Sequence, residues 1–415
     1  MIYPERWGPL RERYQDTTRP RKMLAIDGGG IRGLLTLGML QRMEKLLADD
    51  SGRGADFRLC QYFDYIAGTS TGAIVAAGLA RGMSVATLIQ FYQDYGREIF
   101  EPASIVNRLS NLYTADPLRK HLQQAFNADD NGNWQESAPD RNLFPDHLKC
   151  LLLVVTRNVT TDSPWPISSN PDARYNDPKR PDCNLRIPLW QLVRASTAAP
   201  IYFPPEVLNW DPGDPSRSFT FVDGGVTPYN NPAFLLFRMA THPAFRLGWK
   251  TGEDKLQIVS IGTGSAATPS FKNQIIPASL AGLPGALMYG MQIDQDTNCR
   301  IIGRCAYGEL LDREIRDLTF RDASEELVLE EWLKAQSIPL DVDQGRAFLY
   351  ARYNADLSSE GLVRLGFPSV DPEKVQKLDA VDQMDNLLAI GQAAGQQIQL
   401  PHFGSFVEGK KGPTV

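Results

Sequence analysis

The chain is poor in histidine and cysteine, has no long apolar run, and carries no strong excess of either charge. Each shortage removes a class of function. No stretch approaches the ~20 apolar residues needed to span a bilayer; AIVAAGLA is among the longest uninterrupted runs. The N-terminal MIYPERWGPLRERYQDTTRPRK lacks the apolar centre of a signal peptide. A cytoplasmic protein, at most peripheral to a membrane, is the expectation. The five cysteines (Cys60, Cys150, Cys183, Cys299, Cys305) are odd in number and form no C-x-x-C pair. That argues against a disulfide scaffold and for a reduced, intracellular setting. With 43 basic and 49 acidic residues, a net charge of −6 supplies no long-range pull toward nucleic acid or anionic lipid. Contact with a lipid or a nucleotide has to be local.

What is present is ordinary globular material: 415 residues, 42% hydrophobic and 22% charged, enough for one large domain and an extension. Residues 1–22 read as a polar, solvated arm carrying Arg6, Arg11, Arg13, Arg19, Arg21 and Lys22. Strands are expected at 23–26, 60–68, 148–156, 219–225 and 256–264, and helices at 33–48 and 73–82. The run LKCLLLVVT at 148–156 is apolar on both alternations, as a strand buried on both faces requires. Strands alternating with helices predict an α/β sandwich with a mainly parallel sheet. A catalytic domain over 23–265 would then carry a mostly helical extension over 266–415, with helices at 324–336 and 381–399.

Two polar insertions interrupt this frame. FNADDNGNWQESAPDRN (126–142) superficially suggests a calcium loop, but registering it on the central glycine puts Asn127 first and Ala138 where a bidentate Glu belongs. The calcium reading is discarded. TDSPWPISSNPDARYNDPKRPD (161–182) is too rich in Pro, Asn and Asp for regular structure and is a candidate rim or flap over a site.

The segment KMLAIDGGGIRG (22–33) runs from an apolar strand into a glycine loop and then a helix. Gly28, Gly30 and Gly33 satisfy G-x-G-x-x-G, and Asp49 and Asp50 lie near the distance of a ribose-binding acid. Against a dinucleotide, the helix runs directly into those aspartates with no strand between, and Asp27 would face a pyrophosphate. A P-loop fails because no G-K-[ST] ending follows. YIAGTSTGAIVAAGL supplies G-x-S-x-G at Gly68–Thr69–Ser70–Thr71–Gly72, with a strand before and a small-residue helix after, the context of a nucleophile elbow. Ser70 then needs a base. Among the four histidines (His121, His147, His242, His402), His242 follows an acid in the order Ser…Asp…His, yet its surroundings read as a helix end. FTFVDGGV instead ends a strand in Asp223, with Gly224 and Gly225 leaving its carboxylate free to enter a cleft, where partial burial can raise its pKa toward the working pH. The glycine loop fits an oxyanion hole, since a run of glycines after a strand offers backbone N–H donors without side-chain obstruction. Arg32 either orients that loop or meets a substrate phosphate.

Taken in order, D-G-G-G-I-R-G (Asp27–Gly33), G-T-S-T-G (Gly68–Gly72), RASTAAPIYFPP (Arg194–Pro205) and D-G-G (Asp223–Gly225) resemble the patatin-like phospholipases. The resemblance covers about 23–264. It implies a three-layer α/β/α fold, a Ser70–Asp223 dyad, an oxyanion hole from the amides of Gly28, Gly29, Gly30, Ile31, Arg32 and Gly33, and hydrolysis of fatty-acyl esters with no metal or cofactor. It implies that Thr197 and Ala198 line the site, and it brings a phospholipid substrate and peripheral membrane contact as partners. Some bacterial members act in anti-phage defence, switched on by a cyclic nucleotide, so a nucleotide activator is a further implied partner; oligomerisation is left open. The rival classes are a Ser-His-Asp esterase, a dinucleotide oxidoreductase and a non-catalytic binding module.

Overall fold

The computed structural model describes residues 1–100, 112–129, 133–211, 213–265, 276–308 and 345–407, with backbone alone over 276–288. The expected helix at 324–336 lies outside the described residues.

Alternation in the first strand sets the layering. In β1 (Arg21–Ile26), Leu24 and Ile26 enter one hydrophobic core while Met23 and Ala25 enter a second. β2 (Tyr65–Thr69), β3 (Leu151–Asn158) and β7 (Leu256–Ile261) divide in the same way, so that Leu152 and Val154 face one core and Leu151, Leu153 and Val155 the other. A sheet buried on both faces needs helices on both. The first core is closed by the helices Gly33–Ser51, Thr71–Arg81, Val85–Ile99 and Leu189–Ser196, the second by Ala233–Thr241 and the N-terminal residues. Three layers result.

The remaining strands are β4 (Ser163–Ser168), β5 (Glu206–Asn209), β6 (Ser218–Asp223), β8 (Arg304–Tyr307) and β9 (Leu349–Tyr353). The nine-stranded sheet has the order β5-β6-β3-β2-β1-β7-β9-β8, with β4 paired to β3 off that path. From β3 through β8 the pairs are parallel; β3 with β4, β3 with β6, and β5 with β6 are antiparallel. In such sheets the loops at the carboxyl ends of the parallel strands gather at one edge, where ligands bind.

Four expectations change. The 1–22 arm is packed, not solvated: Trp7, Leu10 and Tyr14 are buried, and Asp172 accepts from the Ile2 amide (2.7 Å), the Tyr3 amide (2.9 Å) and Trp7 Nε1 (3.1 Å). Two of its arginines reach main-chain carbonyls, Arg13 those of Cys60 (2.6 Å) and Phe63 (2.8 Å) and Arg21 that of Arg13 (3.0 Å), and Arg13 also reaches Asp64 (3.1 Å). The segment 161–182 is not a flap. Its first part is β4, whose Pro164 and Pro166 are tolerated because the strand pairs on one side only. The turns after it are buried at Ser169, Asn170 and Asp172, against the N-terminal arm. Residues 60–68 begin as a helical turn, Leu59–Tyr62, before β2 starts at Tyr65. Residues beyond 266 do more than add helices, because β8 and β9 extend the central sheet. The helix expected within 381–399 is found as Met384–Gly395, packed along Gly33–Ser51 with Leu387, Ile390 and Ala394 in the core. Among the described residues, no helix is long and apolar enough to cross a membrane.

Candidate active site

Ser70 occupies the single residue between β2 and the helix Thr71–Arg81, at φ 55° and ψ −125°. A non-glycine residue there carries strain of about 1–3 kcal/mol. The turn is tight because the next layer is close: a Cβ on Gly72 would lie 2.4 Å from the Ile26 carbonyl oxygen. The Ser70 amide donates to Ser196 Oγ (2.9 Å), which in turn donates to the Val155 carbonyl (2.6 Å), fixing the elbow to β3.

Sheet register delivers the carboxylate. Thr69 lies opposite Val155 in the β2–β3 pair, and Asp223 lies opposite Thr156 in the antiparallel β3–β6 pair. β2 thus gives way to β6 along one edge of β3, bringing Ser70 and Asp223 together, and Ser70 Oγ donates to Asp223 Oδ2 at 2.5 Å across a sequence separation of 153. Asp223 Oδ1 accepts from the Gly225 amide (2.6 Å), and the Asp223 amide donates to the Ala198 carbonyl (3.0 Å). Burial pushes the Asp223 carboxyl up to about 6; the Ser70 hydroxyl, the Gly225 N–H and the positive charge of Arg194 restrain the rise. Above that pH the carboxylate is ionised and able to take a proton from a hydroxyl it already touches.

The glycine loop is held from three sides. Asp27 is gripped by both Nη atoms of Arg352, at 2.8 and 2.6 Å. Gly28 N donates to Asn230 O (3.1 Å), and Gly28 O accepts from Thr263 Oγ1 (2.8 Å). Ile31 N donates to Leu378 O (2.8 Å), Arg32 N to Gly29 O (3.3 Å), and Gly33 N to Gly30 O. Of the six loop residues expected to present amides, Gly28, Ile31, Arg32 and Gly33 thus use theirs internally. The amides of Gly29 and Gly30 have no acceptor among the described residues, and both glycines line the same cleft as Ser70. The Arg32 guanidinium donates to Gly29 O (3.3 Å) and Gly264 O (3.1 Å), so it orients the loop.

Ser70, Asp223, Gly29 and Gly30 open onto a cleft with about 1050 Å³ of empty space, counted to its solvent-facing mouth. Its walls are apolar: Ile74, Phe91, Ile99, Phe100, Leu118, Phe203 and Leu378. Thr197 lines it, whereas Ala198 is buried behind it.

The family model for patatin-like phospholipases matches residues 24–237. The chain belongs to that family. Curated members similar to it include a cGAMP-activated phospholipase of Vibrio cholerae serotype O1, 28% identical over 68% of this chain and 74% of the relative. Patatin-17 of Solanum cardiophyllum is 30% identical over 59% of this chain and 61% of its own length. A cGAMP-activated phospholipase of Escherichia coli is 31% identical over 52% of this chain and 55% of its own length.

The patatin-like phospholipase family match ends well before several residues that shape this site. Arg352 and Leu378 lie beyond it, and Thr263 is likewise outside it. None was singled out from the sequence; a lone arginine in a strand or a leucine in a loop carries no local signal. The histidines are elsewhere. His121 stacks on Tyr95 and contacts Glu98, His147 contacts Asn142, and His402 contacts the Tyr353 hydroxyl. His242 is exposed and accepts from the Ala244 amide (3.2 Å) at a helix end. None of the four lines the cleft.

Proposed function

We propose that the chain is a lipid acyl hydrolase in which Ser70 is the nucleophile and Asp223 the general base. The observation that carries this reading is the 2.5 Å Ser70–Asp223 hydrogen bond in the lining of an apolar cleft, beside two glycine amides that have no acceptor among the described residues. Asp223 takes the Ser70 proton as Oγ bonds to the ester carbonyl carbon. The carbonyl oxygen becomes an oxyanion, held by the N–H groups of Gly29 and Gly30. The carbon–oxygen bond to the leaving alcohol breaks, and Asp223 returns the proton to that alcohol. Water then gives a proton to Asp223 and attacks the acyl-serine; the bond from the acyl carbon to Ser70 Oγ breaks, the fatty acid leaves, and Asp223 returns the proton to Oγ. The apolar walls receive the acyl chain. The catalytic unit in this reading runs past residue 265, because Arg352 and Leu378 hold the glycine loop.

The test is fatty-acid release from phospholipid vesicles. Ser70→Ala is expected to abolish it and His242→Ala to leave most of it; equal loss in the histidine variant moves the protein to the Ser-His-Asp esterases. Two bacterial relatives bear the name cGAMP-activated phospholipase. We extend that regulation to this chain as part of the proposal: added cGAMP is expected to raise vesicle hydrolysis, and an unchanged rate removes this part alone.

A further inference from the structure

Ile201 adopts φ 76° where it lines the cleft, with the residue 63% exposed. Both properties run against its chemistry. A β-branched side chain at positive φ crowds its own backbone, a strain that glycine or asparagine escapes. An isoleucine left in water also forgoes the gain of burial. Such a conformation persists only where its surroundings enforce it, and here they do. The Ile201 carbonyl accepts from the Leu112 amide (2.9 Å), and the Tyr202 carbonyl accepts from the Tyr113 amide (2.9 Å). Tyr113 stacks on Tyr202 at 6.1 Å, and its hydroxyl donates to Asp379 (2.8 Å), next to the Leu378 that walls the cleft. Leu112 is itself 37% exposed. The rim is therefore braced, with Ile201 exposed where it lines the apolar cleft and Leu112 exposed on the segment bonded to it.

We infer that this rim is the surface on which the protein meets a lipid bilayer, with Ile201 and Leu112 entering the interface and the cleft mouth opening onto it. The inference rests on the cleft being an acyl-ester site. The acyl chain of a phospholipid lies in hydrocarbon, and drawing it through water would expose every methylene on the way. A mouth seated on the interface passes the chain from one apolar phase to another. The net charge of −6 offers no general attraction to anionic lipid, so the contact is apolar and holds on zwitterionic membranes.

Binding is measured by co-sedimentation with phosphatidylcholine vesicles in a Ser70→Ala background, which separates it from the chemistry. Adding Ile201→Asn, which tolerates positive φ, is expected to lower vesicle affinity at least about tenfold, the order expected from losing burial of one aliphatic side chain. Ile201→Trp is expected to keep affinity, with its added emission shifted to the blue and quenched by brominated lipid. In the otherwise native enzyme, Leu112→Ser is expected to slow vesicle hydrolysis more than turnover of a monomeric short-chain ester. Unchanged affinity in Ile201→Asn, or unquenched emission in Ile201→Trp, overturns the inference. So does parallel loss on both substrates in Leu112→Ser, which would make the rim a structural support. A wild-type chain that binds vesicles through Ile201 yet cleaves no ester would retain the surface and overturn the hydrolase reading instead.

Discussion

Arg352, on β9, closes a two-point ion pair on Asp27, the residue that opens the glycine loop, across a sequence separation of 325. Both partners are buried, and Arg352 also donates to Ser260 Oγ at 2.8 Å. Burial raises the Asp27 carboxyl and Arg352 opposes that rise. An unpaired anion beside the glycine loop would weaken the fold and, under the proposed mechanism, raise the barrier to attack.

Removing one partner of a buried pair typically costs about 3–5 kcal/mol. Arg352→Ala is accordingly expected to lower the denaturation midpoint sharply. Arg352→Lys, which keeps the charge and loses the fork, is expected to recover part of that stability. Chemical denaturation of the three proteins checks the order wild type, Lys, Ala.

Asp223 gives a pH signature in two observables. Its pKa of about 6 predicts that kcat/KM rises through pH 6 and levels above it. Stability moves the other way. The folded-state value is above the ordinary 3.8, so the buried carboxyl is unburdened below 3.8, and its charge weighs on the fold increasingly as pH rises through 6. Asp223→Asn is expected to be inactive, yet more stable than the parent at pH 8 by up to about 3 kcal/mol, because each tenfold change in proton affinity on folding is worth about 1.4 kcal/mol. The gain should shrink toward zero near pH 4. A variant less stable at pH 8 would show that the carboxylate contributes to the fold and does not strain it.

Gly30 tests the glycine loop. It has φ 60°, and a Cβ there would lie 2.1 Å from the Leu378 carbonyl oxygen. Gly30→Ala is expected to displace the loop and lower kcat by about 10²-fold, the scale of one lost oxyanion donor. KM for a short-chain ester should change little. A KM effect with kcat preserved would make the loop a substrate-binding element.

How far the sequence carries can be read from particular residues. The apolar run in β3, the elbow at Ser70 and the Asp223 turn announce themselves because each is a local pattern: unbroken burial, small flanking residues, a strand meeting glycines. The layered sheet follows from the same periodicities. The N-terminal arm misleads because its buried members, Trp7, Leu10 and Tyr14, are dispersed among arginines. Arg13 among them reaches inward to Cys60 O and Phe63 O, acceptors that no local pattern displays. The strand over 60–68 is shortened because Leu59–Tyr62 turns once as a helix before Asp64 bonds back to Lys22. Arg352 and Leu378 are invisible for a different reason: their roles are defined by what they touch across the sheet. Even for the loop, the motif locates six residues but not which amides are left unengaged. That depends on acceptors at Asn230 and Leu378.

The central claim is that Ser70 is the residue activated for attack. Treating the protein with a fluorophosphonate and measuring intact mass and the labelled peptide tests it most directly. The account predicts one adduct, on Ser70, lost in Ser70→Ala and suppressed in Asp223→Asn. An unlabelled protein, or an adduct that persists without Ser70, would contradict it.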